Sequence, residues 1–212
     1  MRIAILLFEK LAAQDAVGPY EAFRCVPGWS IEFVGLRKGV VRAEGGGLGM
    51  SVDRTLGEVS DADVVLVPGG RGSDELLADE TVLSWLREID KTTKWTVSVC
   101  TGALLLGAAG LLDGKRATSN WLALDDLAQY GADAVGGRWV EDGKTITAAG
   151  VTAGIDMALH LISREAGPEV AQAVQLGIEY DPDPPFDCGS PQKAPPEIVK
   201  LVTAVSRAPA SA

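Results

Sequence analysis

The sequence predicts one α/β domain in which a mainly parallel sheet is covered by helices on both faces. Short apolar runs, typical of buried strands, alternate along the chain with segments of helical periodicity. The length of 212 residues suits one such domain, and a hydrophobic fraction of 47% can fill a large core. No internal repeat interrupts the alternation, so we expect one domain over residues 1–207.

In the first half of the chain, three strand-like runs are separated by one helical segment and one glycine-rich segment. We predict, in order, a buried strand over Arg2–Phe8, a helix near Pro19–Arg24, a strand near Ile31–Leu36, a hairpin or flap over Val40–Asp53 and a buried strand over Ala62–Val67. The last of these strands ends at Pro68-Gly69-Gly70, since proline and glycine interrupt regular structure.

The second half continues the alternation with stronger end signals. We predict a helix over Thr81–Asp90 capped by Asp79, a strand ending at Cys100 with a helix after it, a helix near Trp121–Tyr130, a strand over Thr145–Ala148, a helix over Gly154–Ala166 and a final helix near Pro196–Ser206. Asp113-Gly114 and Asp142-Gly143 are hairpin-type turn signals.

The segment before the final helix has a different composition. The prolines of Asp181–Phe186 exclude a helix or an inner strand, so we expect an extended surface segment. The last residues, Ala208–Ala212, are expected to fray.

Composition excludes several classes of function. A net charge of −10 and a pI near 4.6 argue against nucleic acid or an anionic membrane as partner. No apolar run is long enough to span a membrane or to form a signal sequence. Three cysteines without paired spacing favour a reducing cytoplasm over a disulfide framework, and a single histidine argues against a zinc site.

Cys100 is the strongest candidate for a reactive group. It stands where the β-branched run from Trp95 ends and a small-residue helical pattern begins at Gly102, which is the arrangement of a nucleophile elbow. The first N–H groups of that helix point toward the sulfur and favour a negative charge there. The alternative is a buried structural cysteine.

The turn Pro68-Gly69-Gly70-Arg71-Gly72 follows a strand, so it lies at the carboxyl edge of the sheet, where open α/β folds place their sites. Without a Gly-Lys-Ser/Thr element it is not a phosphate-binding loop. We expect the backbone N–H groups of Gly70 and Thr101 to form an oxyanion-type pocket. The alternative is a tight structural turn.

Asp15 lies just after the first strand and before Gly18-Pro19. It either caps the first helix, with Pro19 in the first turn, or faces Cys100 across the strand ends. A carboxylate beside a thiolate is electrostatically costly, and such a pair makes sense where protons are moved. Glu21, one helical turn further on, is a second candidate acid.

Other polar and aromatic residues have less specific predicted roles. Ser119 or Asn120 is a candidate N-cap for the following helix, and His160 lies on an apolar helix face as a satisfied core or interface histidine. Trp121, Trp139 and Tyr180 are expected in the core or in a pocket wall.

These motifs together resemble the DJ-1/PfpI superfamily, which has the class I glutamine-amidotransferase-like fold. The resemblance runs from Met1 to about Ala194 and rests on the glycine turn after Pro68, on Val-Cys100-Thr101-Gly, on Ala-Thr-Ser-Asn120-Trp and on Gly150-Val-Thr-Ala-Gly-Ile-Asp. It implies a flavodoxin-like three-layer sandwich. Within the superfamily the sequence most resembles the isonitrile hydratases, whose active-site aspartate, nucleophile and following threonine match Asp15, Cys100 and Thr101.

The resemblance also implies a homodimer with the nucleophile near the interface, in which residues 181–196 act as a dimer clasp. Gly69, Gly70, Asn120 and Trp121 then become candidates for oxyanion or substrate contacts. Many relatives carry His where this chain has Asn120, and protease-like members carry His where Thr101 stands. Without that histidine, Cys100 lacks the base that acyl transfer requires, so a peptidase is not expected.

The leading hypothesis is a cofactor-free, metal-free hydratase that converts an isonitrile into an N-formamide. Cys100 attacks the terminal carbon of this small electrophile, Asp15 moves the proton, and the Thr101 hydroxyl holds Asp15. The alternatives are a glyoxalase-like hydratase of 2-oxoaldehydes, a redox sensor that oxidises Cys100, and an effector-binding module like those fused to AraC-type regulators.

Overall fold

The computed structural model describes residues 1–206, and the chain divides into two compact units between Ile178 and Glu179. The first unit, Met1–Ile178, is built on a seven-stranded sheet. Its strands and those of two short ribbons are β1 (Arg2–Leu6), β2 (Ser30–Gly35), β3 (Gly39–Arg42), β4 (Gly49–Val52), β5 (Arg54–Thr55), β6 (Val64–Val67), β7 (Trp95–Val99), β8 (Arg116–Ala117), β9 (Asp133–Ala134), β10 (Trp139–Asp142) and β11 (Thr145–Ala148).

The sheet has the strand order β10-β11-β7-β6-β1-β2-β5. All neighbours are parallel except the β10–β11 pair, which forms an antiparallel edge. Every residue of β6, β7 and β11 is buried, as expected of strands covered on both faces. The carboxyl ends of β1, β6 and β7 therefore lie side by side at one edge of the sheet, and this edge positions the site described below.

The helices are α1 (Ala13–Phe23), α2 (Ser73–Leu76), α3 (Glu80–Asp90), α4 (Gly102–Ala108), α5 (Ala153–Ala166), α6 (Pro168–Gly177) and, in the second unit, α7 (Pro196–Ser206). In the first unit they pack in two groups, with α1 and α6 against α5, and α2 and α3 against α4. Helices therefore cover the mainly parallel sheet on both faces, and the predicted fold class is confirmed.

Most predicted elements are confirmed with shifts of a few residues. The predicted flap is the antiparallel β3–β4 hairpin, and the Asp79 carboxylate caps α3 by accepting hydrogen bonds from the N–H groups of Thr81 and Val82. Asp142-Gly143 connects the antiparallel strands β10 and β11. Asp113-Gly114 is a turn but not a hairpin, since the strand that follows it, β8, pairs in parallel with β9.

Two helix predictions need correction, and one helix was missed. Helix α1 begins six residues earlier than predicted, at Ala13, so Pro19 lies inside the helix and not in its first turn. The predicted helix near Trp121–Tyr130 is a 3-10 helix over Asp125–Tyr130 only, because an Asn120 side-chain turn precedes it and Tyr130 must pack on Gly107. Helix α6 was not predicted; Gly167 separates it from α5, and Pro168 occupies its first turn.

The second unit begins at Glu179. Residues 181–186 form neither helix nor strand, as predicted, and most side chains there are exposed. Helix α7 has the predicted bounds. The predicted fraying of Ala208–Ala212 falls outside the described residues, and the dimer clasp stays a prediction.

Candidate active site

Cys100 occupies a strained turn between β7 and α4. Its φ of 58° is in the left-handed region, which non-glycine residues adopt mainly where the surrounding structure enforces it. The Cys100 N–H is shared by the carbonyl oxygens of Ala148 and Ala149, at 3.0 and 2.9 Å. The Ser119 hydroxyl donates to the Cys100 carbonyl oxygen at 2.9 Å. The structure thus confirms that Cys100 stands on the predicted strand-to-helix elbow.

Asp15 is fully buried in the first turn of α1. Its Oδ2 accepts a hydrogen bond of 2.9 Å from the Gly69 N–H, across the ends of β1 and β6. Its Oδ1 is also buried and has no hydrogen-bond partner among residues 1–206. The N-cap alternative is therefore wrong, because the N-cap position belongs to Ala12 and the Asp15 carboxyl points to the glycine turn.

The Asp15 carboxyl and the Cys100 thiol shift each other's ionisation. Burial raises the pKa of Asp15 to about 7, while the Gly69 N–H and the Cys100 thiol act in the opposite direction. Burial and the Asp15 charge raise the pKa of Cys100 to about 11. The thiol is thus protonated at neutral pH, and the N-terminal end of α4 does not by itself make it a thiolate. A carboxyl that titrates near 7 is suited to accept and return a proton.

Three donors surround the sulfur and favour its negative form as the proton leaves. They are the backbone N–H groups of Thr101 and Val151 and the side chain of Asn120, and each of them lowers the pKa of Cys100. The Asn120 Oδ1 accepts the Leu122 N–H at 3.0 Å, which leaves the Asn120 amino group for the sulfur. These donors form the anion-stabilising part of the site.

Val151 is the site residue that the sequence analysis missed. Its φ of 24° is rare for a β-branched residue, and no local sequence signal reports such a conformation. The only available signal was the Gly150-Val-Thr-Ala-Gly motif, to which no role was assigned. The N–H of Val151 reaches the sulfur because β11 runs parallel to β7, so the loop after β11 lies beside the elbow.

The glycine turn has a different role from the predicted one. The Gly70 N–H donates to the Thr101 hydroxyl oxygen at 2.9 Å, and the Ser73 hydroxyl lies 3.0 Å from the same oxygen. Since the Gly69 N–H binds Asp15, the N–H groups of both Gly69 and Gly70 are engaged. The Gly70 N–H, predicted as an oxyanion donor, is therefore already bound within the protein, and the Thr101 hydroxyl, predicted to hold Asp15, contacts Gly70 and Ser73. The turn instead positions the acid and the elbow.

The remaining candidates lie outside this cluster of contacts. Glu21 forms an ion pair with Arg24 on the surface of α1. The His160 ring stacks on Trp139 with centroids 3.9 Å apart, and its Nε2 lies 2.6 Å from a Glu141 carboxylate oxygen, which confirms a satisfied histidine. Trp121 follows Asn120 with 36% of its surface exposed, so it is not a core residue. Its contact with substrate stays a prediction.

Residues 1–206 contain neither a metal-binding cluster nor a membrane-spanning helix. No three histidine, cysteine, aspartate or glutamate side chains in this part of the chain come close enough to hold a metal ion. No helix within the same residues is both long and apolar enough to cross a bilayer.

Comparison with known proteins agrees with this geometry. Residues 1–164 match the DJ-1/PfpI family. The isonitrile hydratase of Pseudomonas putida is 42% identical to this chain over 199 residues, which cover 94% of the chain and 87% of that enzyme. The crystal structure of a ThiJ/PfpI family protein from Pseudomonas syringae superposes with a TM-score of 0.93 at 36% identity, and the match covers 96% of this chain and 85% of that one.

A transcriptional regulator is also among the relatives. The HTH-type transcriptional regulator CdhR of Pseudomonas aeruginosa is 35% identical over 150 residues, which cover 66% of this chain but only 44% of the regulator. The chain therefore matches less than half of that regulator, and the similarity indicates a shared domain.

Proposed function

The chain belongs to the DJ-1/PfpI family, and we propose that it is an enzyme that adds water to an isonitrile to give an N-formamide. The observation that carries the proposal is the juxtaposition of a buried thiol and a buried carboxyl whose pKa lies near 7. The 42% identity to the isonitrile hydratase of Pseudomonas putida over most of both chains supports this substrate class.

In the first step Asp15 takes the thiol proton of Cys100 while the sulfur attacks the terminal carbon of the isonitrile. A C–S bond forms, one C–N π pair moves to the nitrogen, and the lone pair that the carbon already carries takes the proton from Asp15, which returns the carboxylate. The product of this step is a thioimidate on Cys100. The N–H groups of Thr101 and Val151 and the Asn120 amino group stabilise the sulfur anion as it forms.

In the second step the carboxylate of Asp15 removes a proton from water as the oxygen attacks the thioimidate carbon. Asp15 gives this proton to the nitrogen. It then takes the proton of the new hydroxyl group as the C=O bond forms and the C–S bond breaks, and it returns that proton to the sulfur. One water is consumed and one N-formamide is released. The chemistry requires a nucleophile and one carboxyl group, and it uses neither histidine nor metal.

The other predicted functions receive less support. A redox sensor requires an exposed thiolate, whereas burial and the Asp15 charge raise the pKa of Cys100 to about 11. A 2-oxoaldehyde hydratase would use the same two groups, so only substrate tests can distinguish that activity from isonitrile hydration.

The cysteines at 25, 100 and 188 are all free, which suits the reducing cytoplasm in which we place the enzyme.

The test is to incubate the protein with cyclohexyl isonitrile in D₂O and to follow the formamide by NMR. We expect turnover with deuterium at the formyl carbon, because the thiol proton exchanges with solvent. Cys100→Ala should abolish turnover and Asp15→Asn should reduce it by about 10²–10⁴-fold. Cys25→Ala is the matched control, since the Cys25 thiol donates to the Glu21 carbonyl outside the site.

Two outcomes would overturn the proposal. One is formamide production by a folded Cys100→Ala variant. The other is a folded wild-type protein that leaves the isonitrile unchanged and converts methylglyoxal, which would assign the site to 2-oxoaldehydes.

A further inference from the structure

Glu44 connects the β3–β4 flap to both segments that hold Asp15. Its N–H donates to the carbonyl oxygen of Leu11 at 3.0 Å, and its Oε1 accepts a hydrogen bond of 2.6 Å from the N–H of Arg71. Leu11 lies in the loop that leads into α1, and Arg71 lies in the glycine turn. The Glu44 carboxylate is therefore fixed in place although the residue is exposed.

The two segments that Glu44 joins are also bound to each other. The Ala12 N–H donates to the Gly69 carbonyl oxygen at 2.9 Å, next to the Gly69 N–H that binds Asp15. The flap is held to the same loop by a 2.6 Å hydrogen bond from the Lys10 N–H to the Arg42 carbonyl oxygen. The position of Glu44 relative to Asp15 is thus set by short backbone connections on both sides.

The charge of Glu44 is not neutralised by a partner. None of the ion pairs within residues 1–206 includes it, and its contact with Arg71 is to the backbone N–H. The ionisable groups that act on Asp15 are Glu44 and Cys100. The Glu44 charge raises the pKa of Asp15. It thus acts against the negative form of Asp15.

We propose that Glu44 is a positioning residue: the flap holds its carboxylate at the glycine turn that binds Asp15, and its negative charge favours the protonated carboxyl that delivers a proton to the substrate. Glu44 need not touch the substrate, because its effect passes through Asp15. The proposal rests on the proposed function for its catalytic meaning, but the ionisation of Asp15 is a property of the resting protein. It can therefore be tested without any turnover.

The experiment is a ¹³C-carboxyl NMR titration of Asp15 in the full chain. Glu44→Gln removes the charge and keeps an oxygen for the Arg71 N–H, and Glu44→Ala removes both. Glu88→Gln is the matched control, because Glu88 is an exposed carboxylate paired with Lys91 on α3 and does not act on Asp15. Each protein is titrated at about 0.01 M and about 1 M salt, between which the Debye length falls from ~30 to ~3 Å.

We expect the Asp15 midpoint of wild type and Glu88→Gln to lie near 7 at low salt and that of both Glu44 variants to lie lower. High salt should lower the wild-type midpoint toward that of Glu44→Gln and move the Glu44 variants less. The acid limb of kcat/KM should shift to lower pH in the same variants. The proposal is overturned if Glu44→Gln titrates like wild type, or if only Glu44→Ala shifts, which would assign a purely structural role. Lack of isonitrile turnover would refute the proposed function and leave the titration result intact.

Discussion

At the scale of single residues, the site is defined by how Asp15 and Cys100 share protons. Both groups are buried, and burial disfavours the charged form of each. Cys100 holds its proton at neutral pH, so Asp15 carries the negative charge of the pair above a pH of about 7. Above that pH the resting site is therefore a neutral thiol beside a carboxylate, and in the proposed mechanism the nucleophile forms when the proton moves to Asp15.

This arrangement predicts a stability cost at Asp15. Its pKa rises from 3.8 to about 7 on folding, so the folded state binds the proton more tightly than the unfolded state. The contribution of Asp15 to stability is therefore most favourable below pH 4 and is lost as the pH rises through 7. Asp15→Asn keeps an acceptor for Gly69, and it should raise the free energy of unfolding at pH 8 by about 1–4 kcal/mol.

Urea unfolding from pH 4 to pH 8 checks this prediction. The difference between Asp15→Asn and wild type should grow with pH and level off above pH 7. Asp61→Asn is the control, because its Arg2 partner lowers the pKa of Asp61 and the substitution should not stabilise the protein. A difference that is the same at every pH would contradict the pKa assigned to Asp15.

At the scale of elements, the site depends on the close approach of the elbow to the end of β6. A Cβ atom at Gly102 would lie 2.1 Å from the Val67 carbonyl oxygen, and one at Gly69 would lie 2.4 Å from the Thr101 nitrogen. Both contacts are with backbone atoms that cannot move away without separating β6 from α4. Glycine is required at these positions so that the turn holding Asp15 can lie against the turn holding Cys100.

We therefore expect Gly102→Ala to lower the free energy of unfolding by about 3 kcal/mol or more. Gly57→Ala is the matched control, since a Cβ at Gly57 meets nothing within 4 Å, and it should change stability by less than about 1 kcal/mol. The midpoint of urea unfolding measures both. Equal midpoints for the two variants would show that β6 and α4 can separate without cost.

At the scale of the whole molecule, the exposed apolar side chains of the second unit bear on the predicted homodimer. Phe186 is 76% exposed in the single chain and lies in the segment predicted to act as a dimer clasp. On α7, Leu201 and Val205 are 59% and 60% exposed. Covering such side chains in an interface removes apolar area from water, which stabilises association.

If residues 181–196 are the clasp, Phe186→Asp should weaken self-association by about 30-fold, or about 2 kcal/mol. Val40→Asp is the control, because Val40 is an exposed apolar residue on the β3–β4 flap, outside the predicted clasp. Sedimentation equilibrium over a range of protein concentrations measures the dissociation constant. A monomeric wild type, or a Phe186→Asp dimer of unchanged strength, would refute the clasp.

The sequence by itself determined the fold class, the order of most elements and the two residues, Cys100 and Asp15, that we propose as catalytic. These follow from signals that are local in the chain: apolar runs, caps, and a cysteine between a strand and a helix. Only the tertiary structure decided that Asp15 binds Gly69, that Thr101 accepts from Gly70, that the Val151 N–H lies at the sulfur and that Glu44 accepts from Arg71. Those contacts join the ends of strands and loops far apart in the chain, so no local pattern records them. The raised pKa of Cys100 could not be predicted from the sequence either, since burial and a facing carboxylate are properties of the packed molecule.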